Sequence, residues 1–346
     1  MISTNNITRG HPYRRYRGIG LVELMIALTL GLFLMAGVIS IFITNRQAFR
    51  TTEQLSRMQE SARTAFELMA RSLREAGGTP CGRGVPTGNV VNGAGTTWWA
   101  NWADGLRGYD DAVAAGGVAF GTGTGQRING TDAFFSIYAN ANTGNPITNH
   151  NPTAASFQLN SAGHDLVDGD IVLACDYRQA AIFQLTNVNA SNATVVHNTG
   201  VSGVAPGNCS KGLGVPTDCS SVNGTAYTFQ GGHLVKLSSE IWYVGANGRG
   251  GRSLYRARLF NNAGTASVRN EEIAEGVTNM QIVYLEANNA GVLPDDYVAA
   301  SSVTSWPRVV AARITLTLQS REAVGTDGAA LTRQMVHVVS LRNRLP

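Results

Sequence analysis

Histidines, cysteines, serines and paired carboxylates are the residues that could carry chemistry here, and their spacing argues against catalysis. Six histidines, His11, His150, His164, His197, His233 and His337, are scattered through 346 residues. None belongs to an HExxH pair, which would set two zinc ligands one helical turn apart beside a general base. No glycine-flanked serine elbow presents a nucleophile. Neither Lys211 nor Lys236 follows a phosphate-loop glycine pattern. The glycine run at 121–126, GTGTGQ, lacks the third glycine of a dinucleotide fingerprint and reads as a loop. Adjacent carboxylates occur at Asp110/Asp111, Glu271/Glu272 and Asp295/Asp296. On a strand such neighbours point to opposite faces, so they do not form one acid–base couple. Asp165, Asp168 and Asp170 precede a strand and read as a turn with side-chain-to-backbone hydrogen bonds. The expectation is a chain without an enzyme's active site, a metal or a cofactor.

Two sets of residues resist that dismissal. Cys81, Cys175, Cys209 and Cys219 are an even number without a CxxC pair or a histidine at zinc-ligand spacing. In an exported chain they read as disulfides. Three connectivities are open; the short loop between Cys209 and Cys219 favours that pair, leaving Cys81 with Cys175. Trp98, Trp99 and Trp102 lie in a Gly/Ala/Asn-rich stretch. Either they form a satellite core beneath a loop, or they form a contact surface; a short helix would bring Trp98 or Trp99 to one side with Trp102.

The elements that hold these residues begin with a long helix. The formal charge is +4, and the first eighteen residues hold Arg9, Arg14, Arg15 and Arg17 with no acid. Beyond them 23 basic residues balance 23 acidic ones, so no basic stripe suited to nucleic acid survives in the folded part. Residues 24–43 carry no charge. Counted from Ile19, this segment extends about 37 Å as a helix, enough for a bilayer core of about 30 Å. The basic residues ahead of it set the N-terminus in the cytoplasm. No small-x-small cleavage site follows, which separates the segment from an ordinary secretory signal. Glu23 is its anomaly, because a carboxylate within an inserting helix costs up to about 3 kcal/mol and calls for a partner.

After residue 43 the helix turns amphipathic. Leu55, Met58, Ala62, Ala65, Met69 and Leu73 make one apolar stripe, with Glu60–Arg63 and Glu67–Arg71 spaced for ion pairs. Gly77, Gly78 and Pro80 end it near residue 76. Strand-like runs follow at 132–139, 170–174, 181–186, 194–197, 235–244, 254–260, 277–285, 309–318 and 335–341, with GANGRGG as a hairpin loop. One long helix followed by strands predicts an α+β fold, the helix packed on an antiparallel β-rich region. The divisions are 1–18, a leader; 19–43, a transmembrane helix; 44–76, a periplasmic amphipathic helix; and 79–346, a globular region with two subdomains near 79–230 and 231–346.

The segment RGIGLVELMIAL resembles the class III signal of type IV pilins, in which basic residues and a glycine precede a glutamate five positions on. The resemblance implies that a prepilin peptidase cleaves after Gly18 and methylates Ile19, where the family usually has phenylalanine. It implies that Glu23 meets the positive N-terminus of a neighbouring subunit. The stretches SLYRARL, EEIAEGVTNMQIVY, WPRVVAARITLTLQSR and HVVSLRNRLP resemble PilW-type minor pilins. They imply an inner-membrane, single-pass protein that works in pilus assembly or priming. Its partners would be other minor and major pilins, the prepilin peptidase and the inner-membrane assembly platform. A large J-type pseudopilin of a type II secretion system shares the N-terminal signal. A pilin-anchored adhesin would use residues 82–230 and their tryptophans for display.

Overall fold

The computed structural model describes residues 18, 20–103, 105–139, 144–189, 191–325 and 327–344. The leader through residue 17 and Ile19 lie outside the described residues. Helix α1 runs Leu21–Glu75. Then come β1 (Thr87–Asn89), β2 (Leu106–Tyr109), β3 (Ala133–Ala139), β4 (Asn145–Asn151) and β5 (Ser156–Leu159). They are followed by β6 (Ile171–Cys175), β7 (Ala180–Gln184), β8 (Asn187–Asn189), β9 (Thr194–Val196) and β10 (His233–Ala246). The last five are β11 (Arg252–Asn262), β12 (Thr265–Glu275), β13 (Val277–Glu286), β14 (Val309–Gln319) and β15 (Thr332–Ser340).

The chain divides into two compact units, one ending at Glu53 and the other starting at Gln54. In the first, every described residue of 21–50 is exposed. In the second, α1 buries Met58, Ala62, Ala65, Phe66, Met69 and Leu73, with Gln54 and Ser72 among them. Leu55 of the predicted stripe is only half-buried. Fully burying a side chain of this kind stabilises by about 1.5–3 kcal/mol, so the stripe is a large part of what fastens the helix. The ion pairs differ from expectation. Arg63 reaches Glu67 at 3.0 Å and Arg71 reaches Glu75 at 3.3 Å. Each glutamate is taken by the arginine one turn before it, so the predicted Glu60–Arg63 and Glu67–Arg71 pairs do not form.

The helix stops where glycine allows the chain to reverse. Gly77 has φ +70° and gives its N–H to Ile137 O at 2.8 Å. Asn343 Nδ2 donates to Arg74 O at 3.1 Å and Glu75 O at 3.4 Å, satisfying carbonyls the helix leaves open. Gly105 has φ +68°, and a Cβ there would stand 2.5 Å from Gly77 Cα, so this crossing tolerates no side chain.

Among the described residues every pair of strands is antiparallel except β1–β7, and the sheets are open. A small sheet has the order β13-β14-β15; the large one runs β1-β7-β6-β10-β4-β5-β9-β8 with β3, β2, β11 and β12 joined through β10. Residue 230, the expected subdomain division, lies just before β10, with Gly231 and Gly232 between. One end of that strand pairs with β6 and β4, the other with β3 and β11. Beneath α1, Met69 and Leu73 pack with Trp242, Met280, Ile282, Ile314 and Leu316. A second core holds Phe135, Ile137, Tyr243 and Tyr255, and a third Phe157, Phe183, Phe229 and Leu234. All nine predicted strands are present, within a few residues at each end. Strands β1, β2, β4, β5, β8 and β12 were not predicted, because they are short or, like β12 (TASVRNEEIAE), mostly polar.

Candidate functional site

At the N-terminal end, Gly18 is exposed and Glu23 occupies the first turn of α1. The Glu23 carboxylate accepts the Gly20 N–H at 3.2 Å, and Leu24 N–H reaches Gly20 O at 3.1 Å. An acid there complements the free N–H groups of a helix start. Around and beyond it the helix presents apolar side chains, with Leu21 75% and Phe33 80% exposed. Thr29 returns its hydroxyl to Met25 O and Ile26 O at 3.1 and 2.9 Å, so it leaves no unsatisfied donor in this segment. Among the described residues, α1 is the one helix long and apolar enough to cross a membrane.

Where α1 meets the sheet, a polar cluster that the sequence reading missed replaces part of the apolar contact. Ser72 donates to Glu240 Oε2 at 3.0 Å and lies 2.5 Å from Ser136 Oγ. Trp242 Nε1–H is 3.1 Å from Glu240 Oε2, and the Tyr138 hydroxyl donates to Oε1 at 3.3 Å. Register explains the meeting: Ser136 pairs with Glu240 and Phe134 with Trp242, putting all four on the helix-facing side. Arg256 reaches Glu240 at 3.4 Å and Glu271 at 2.7 Å, and Arg258 reaches Glu271 at 2.7 Å. Burial alone would raise the Glu271 carboxyl; the two arginines outweigh it and hold it below the usual range. Burial, then the Glu240 charge, raises the Tyr138 hydroxyl and keeps it a donor. Both Glu240 oxygens are occupied and Ser72 is buried, so the cluster locks helix to sheet and offers no nucleophile. Its sequence signal was a glutamate at the start of an apolar run, two residues before a tryptophan.

The cysteines form two bridges, Cys81–Cys175 with Cα atoms 5.9 Å apart and Cys209–Cys219 at 5.2 Å. The first ties the segment after α1 to the end of β6. Trp99 is buried in the second core, and Trp98 stands edge-on to Phe135 at 6.0 Å. The single turn there, Trp98–Ala100, ends before Trp102, so it does not bring Trp98 or Trp99 to one side of a helix with Trp102. Trp102 is half-buried and lines an open groove of about 910 Å³ with Arg83, Asn101 and Arg344.

Several other titratable groups have partners within the fold. Asp110 accepts the Ala300 and Ser301 N–H groups at 2.9 and 2.7 Å. Asp132 accepts Ile282 N–H at 2.7 Å, and burial raises it to about 6. Glu272 holds Arg249 while Glu271 holds Arg256 and Arg258, so these neighbours diverge as expected. Asp168 accepts Val188 N–H at 2.6 Å, and Asp165 and Asp170 pair with Lys236 at 3.2 and 3.0 Å. Asp295 and Asp296 are exposed. His150 and His197 are buried with their Nε2 atoms 3.3 Å apart among Phe157, Phe183 and Phe229. His150 Nδ1 accepts Phe229 N–H at 3.1 Å, so its Nε2 carries the proton and gives it to His197. That proton occupies the position a metal would need. Among the described residues no three His, Cys, Asp or Glu side chains are grouped to hold a metal.

Comparison with known proteins gives two matches of limited length. Residues 241–341 match the family described as Type IV Pilus-assembly protein W. Residues 13–39 match the prokaryotic N-terminal methylation motif, a span that includes Gly18, Ile19 and Glu23. No curated protein and no solved structure matches.

Proposed function

We propose that this chain is a minor-pilin-like subunit of type IV pilus assembly, acting through helix and domain packing with other pilin-like proteins. The observation that carries the reading is the pairing, in one chain, of an N-terminal methylation motif with a C-terminal pilus-assembly match. The fold supports it. A long helix starts with an exposed apolar segment and continues, without a break in its hydrogen bonding, into a stripe packed on an antiparallel sheet. Such a helix can be held by lipid before assembly and by neighbouring helices after it, while the lock at Ser72 and Glu240 keeps the globular region fixed to its second half. In this reading the chain sits in the inner membrane with a periplasmic globular region. Prepilin peptidase cuts after Gly18 and methylates Ile19. Glu23 then finds a neighbour's positive N-terminus, and the assembly platform and other minor and major pilins are its partners. The pilus-assembly match in 241–341 favours this over a type II secretion pseudopilin.

Processing tests the reading directly. Intact mass of the membrane-extracted protein is expected to show loss of residues 1–18 and one added methyl group. A chain that retains Met1, or that is cut after residue 43, overturns it.

A further inference from the structure

Of the three adjacent acidic pairs, two are engaged within the fold. Asp110 holds Ala300 and Ser301, Asp111 meets Gln281 Nε2 at 3.4 Å, and Glu271 and Glu272 hold arginines. Asp295 and Asp296 are exposed and form no hydrogen bond or ion pair among the described residues. They stand on the loop between β13 and β14, just after Val292 and Leu293, which are 61% and 51% exposed. The base of that loop is braced. Asn288 Oδ1 accepts the N–H groups of Ala290 and Val292, each at 2.9 Å, and Asn288 N–H reaches Val292 O at 3.0 Å. Arg308 reaches Asn289 Oδ1 at 2.8 Å and Glu286 at 2.7 Å. The result is a knob, apolar at Val292 and Leu293 and doubly negative beyond Pro294.

The opposite end of the β13–β14 pair carries its complement. A groove of about 800 Å³ follows α1 from Gln54 to Thr64, about 15 Å at 1.5 Å per residue. That length holds four or five residues of extended chain at about 3.3 Å each. Its other wall is the β10–β11 turn, the join at Gly276 and the end of β14. Four arginines, Arg57, Arg249, Arg252 and Arg321, line it against two acids, Glu60 and Glu275. Glu275 is held by Arg249 at 2.9 Å. Arg252 gives one N–H to Thr278 O at 3.0 Å, and Arg321 is exposed without a hydrogen bond or ion pair among the described residues. On the helix side Gln54 is 4% exposed, and its amide makes no hydrogen bond among those residues. Such an amide offers both a donor and an acceptor to incoming backbone. Ile273, half-buried, adds an apolar spot. Knob and groove cannot meet within one molecule, because the ten residues of β13 hold them about 33 Å apart.

We propose that the loop at 292–296 of one copy seats in the groove beside α1 of a second copy, joining the chains head to tail. The setting rests on the assembly reading above, and the contact makes a second copy one of the partners. Asp295 and Asp296 face Arg252 and Arg321, Val292 and Leu293 cover Ile273, and Gln54 takes the loop's backbone. Charge complementarity selects this occupant: the groove has an excess of cations, and the one acidic pair left without partners lies on an apolar knob of the same chain.

The full chain is purified in detergent, and its mass is followed by sedimentation across protein concentration at low and high salt. Concentration-dependent association is expected, weakened by salt. Asp295→Arg/Asp296→Arg leaves the groove positive, and Arg252→Asp/Arg321→Asp leaves the knob negative. Each variant alone is expected to associate about tenfold more weakly than the parent, with an unchanged melting temperature. Mixing the two is expected to restore association, because each knob then finds a groove of opposite sign. Should Arg252→Asp melt early, Arg321→Asp alone serves, since its side chain holds nothing in the fold. A parent that stays monomeric at low salt, association that the reversals leave unchanged, or a mixture that does not recover overturns the proposal. Intact mass separates this from the broader reading. A monomeric parent that has lost residues 1–18 overturns the contact alone, whereas a chain that retains Met1 yet associates through this contact overturns the assembly reading alone.

Discussion

Glu23 and the pair His150 and His197 are single residues whose surroundings make opposite demands. Glu23 has one backbone donor, Gly20 N–H, and otherwise faces outward on an apolar helix. If its task is to meet a neighbour's amine, Glu23→Gln keeps the shape and removes the charge that a water-poor interface rewards. Membrane insertion and cleavage after Gly18 are expected to persist, while surface pili and cross-linked partner pilins fall about tenfold, the effect of about 1.4 kcal/mol per contact. Normal piliation would reduce Glu23 to a tolerated helix-start acid. The histidines face no partner outside the chain. Burial lowers His150 to about 4; burial, then the charge on His150, lowers His197 to about 3. Both lie below the unfolded value near 6.5, so the unfolded chain takes up protons first as pH falls. Their contribution is whole above pH 6.5 and is lost as pH falls toward 4. Asp132, raised to about 6 by burial, works the other way over part of that range. The comparison that isolates the histidines is therefore His197→Phe: the parent's melting temperature is expected to fall more steeply between pH 6.5 and 4.5 than the variant's.

At the scale of elements, α1 is held to the sheet by a stripe and a lock, and its surface ion pairs contribute little. Met69 is fully buried beneath the helix, whereas Arg63 and Glu67 are 82% and 67% exposed. Met69→Ala is expected to cost about 2–5 kcal/mol, the transfer of the side chain plus the cavity left behind. Arg63→Ala is expected to cost about 0.5 kcal/mol or less, as exposed helical pairs do. Urea unfolding of the two variants checks the contrast; equal losses would mean that the helix docks through its charged face. Strand β12 shows why some elements were invisible to pattern reading. Its burial is confined almost to Ala274, and it is held by the β11 ladder and by arginines on the strand beside it. Hydrophobic alternation has nothing to register on such a strand.

For the molecule as a whole, the bridges set how far the unfolded chain can expand. Cys81–Cys175 spans 94 residues and Cys209–Cys219 spans 10. In the chain-entropy picture, closing the longer loop stabilises by about 4.7 kcal/mol and the shorter by about 3. The double replacement Cys81→Ala/Cys175→Ala is thus expected to lower the denaturation midpoint further than Cys209→Ala/Cys219→Ala. The reverse order would show that strain or residual structure, not loop length, governs these bridges. The long bridge also joins the segment following α1 to the second core, where Cys175 lies among Leu173, Ile182 and Val235.

What the sequence determined by itself was everything written in local pattern. The uncharged run 24–43, the stripe through Met58, Ala62, Ala65, Met69 and Leu73, the glycines that stop α1 and nine strands of alternating or β-branched residues all follow from periods of 3.6 and 2. The methylation motif belongs to the same class, because its glycine, apolar residues and glutamate are consecutive. Tertiary structure decided what depends on partners far apart in the chain. Ser72 and Glu240 meet only because β3 and β10 share a register beneath α1. His150 and His197 meet only across the sheet of β4, β5 and β9. Asn343 closes the end of a helix that stops 268 residues earlier. No local period carries such pairings, since each is set by which strands become neighbours and in which register. The place of β15 is decided in the same way: its sequence is an ordinary strand, and the order of its sheet, among the described residues, puts it at an edge.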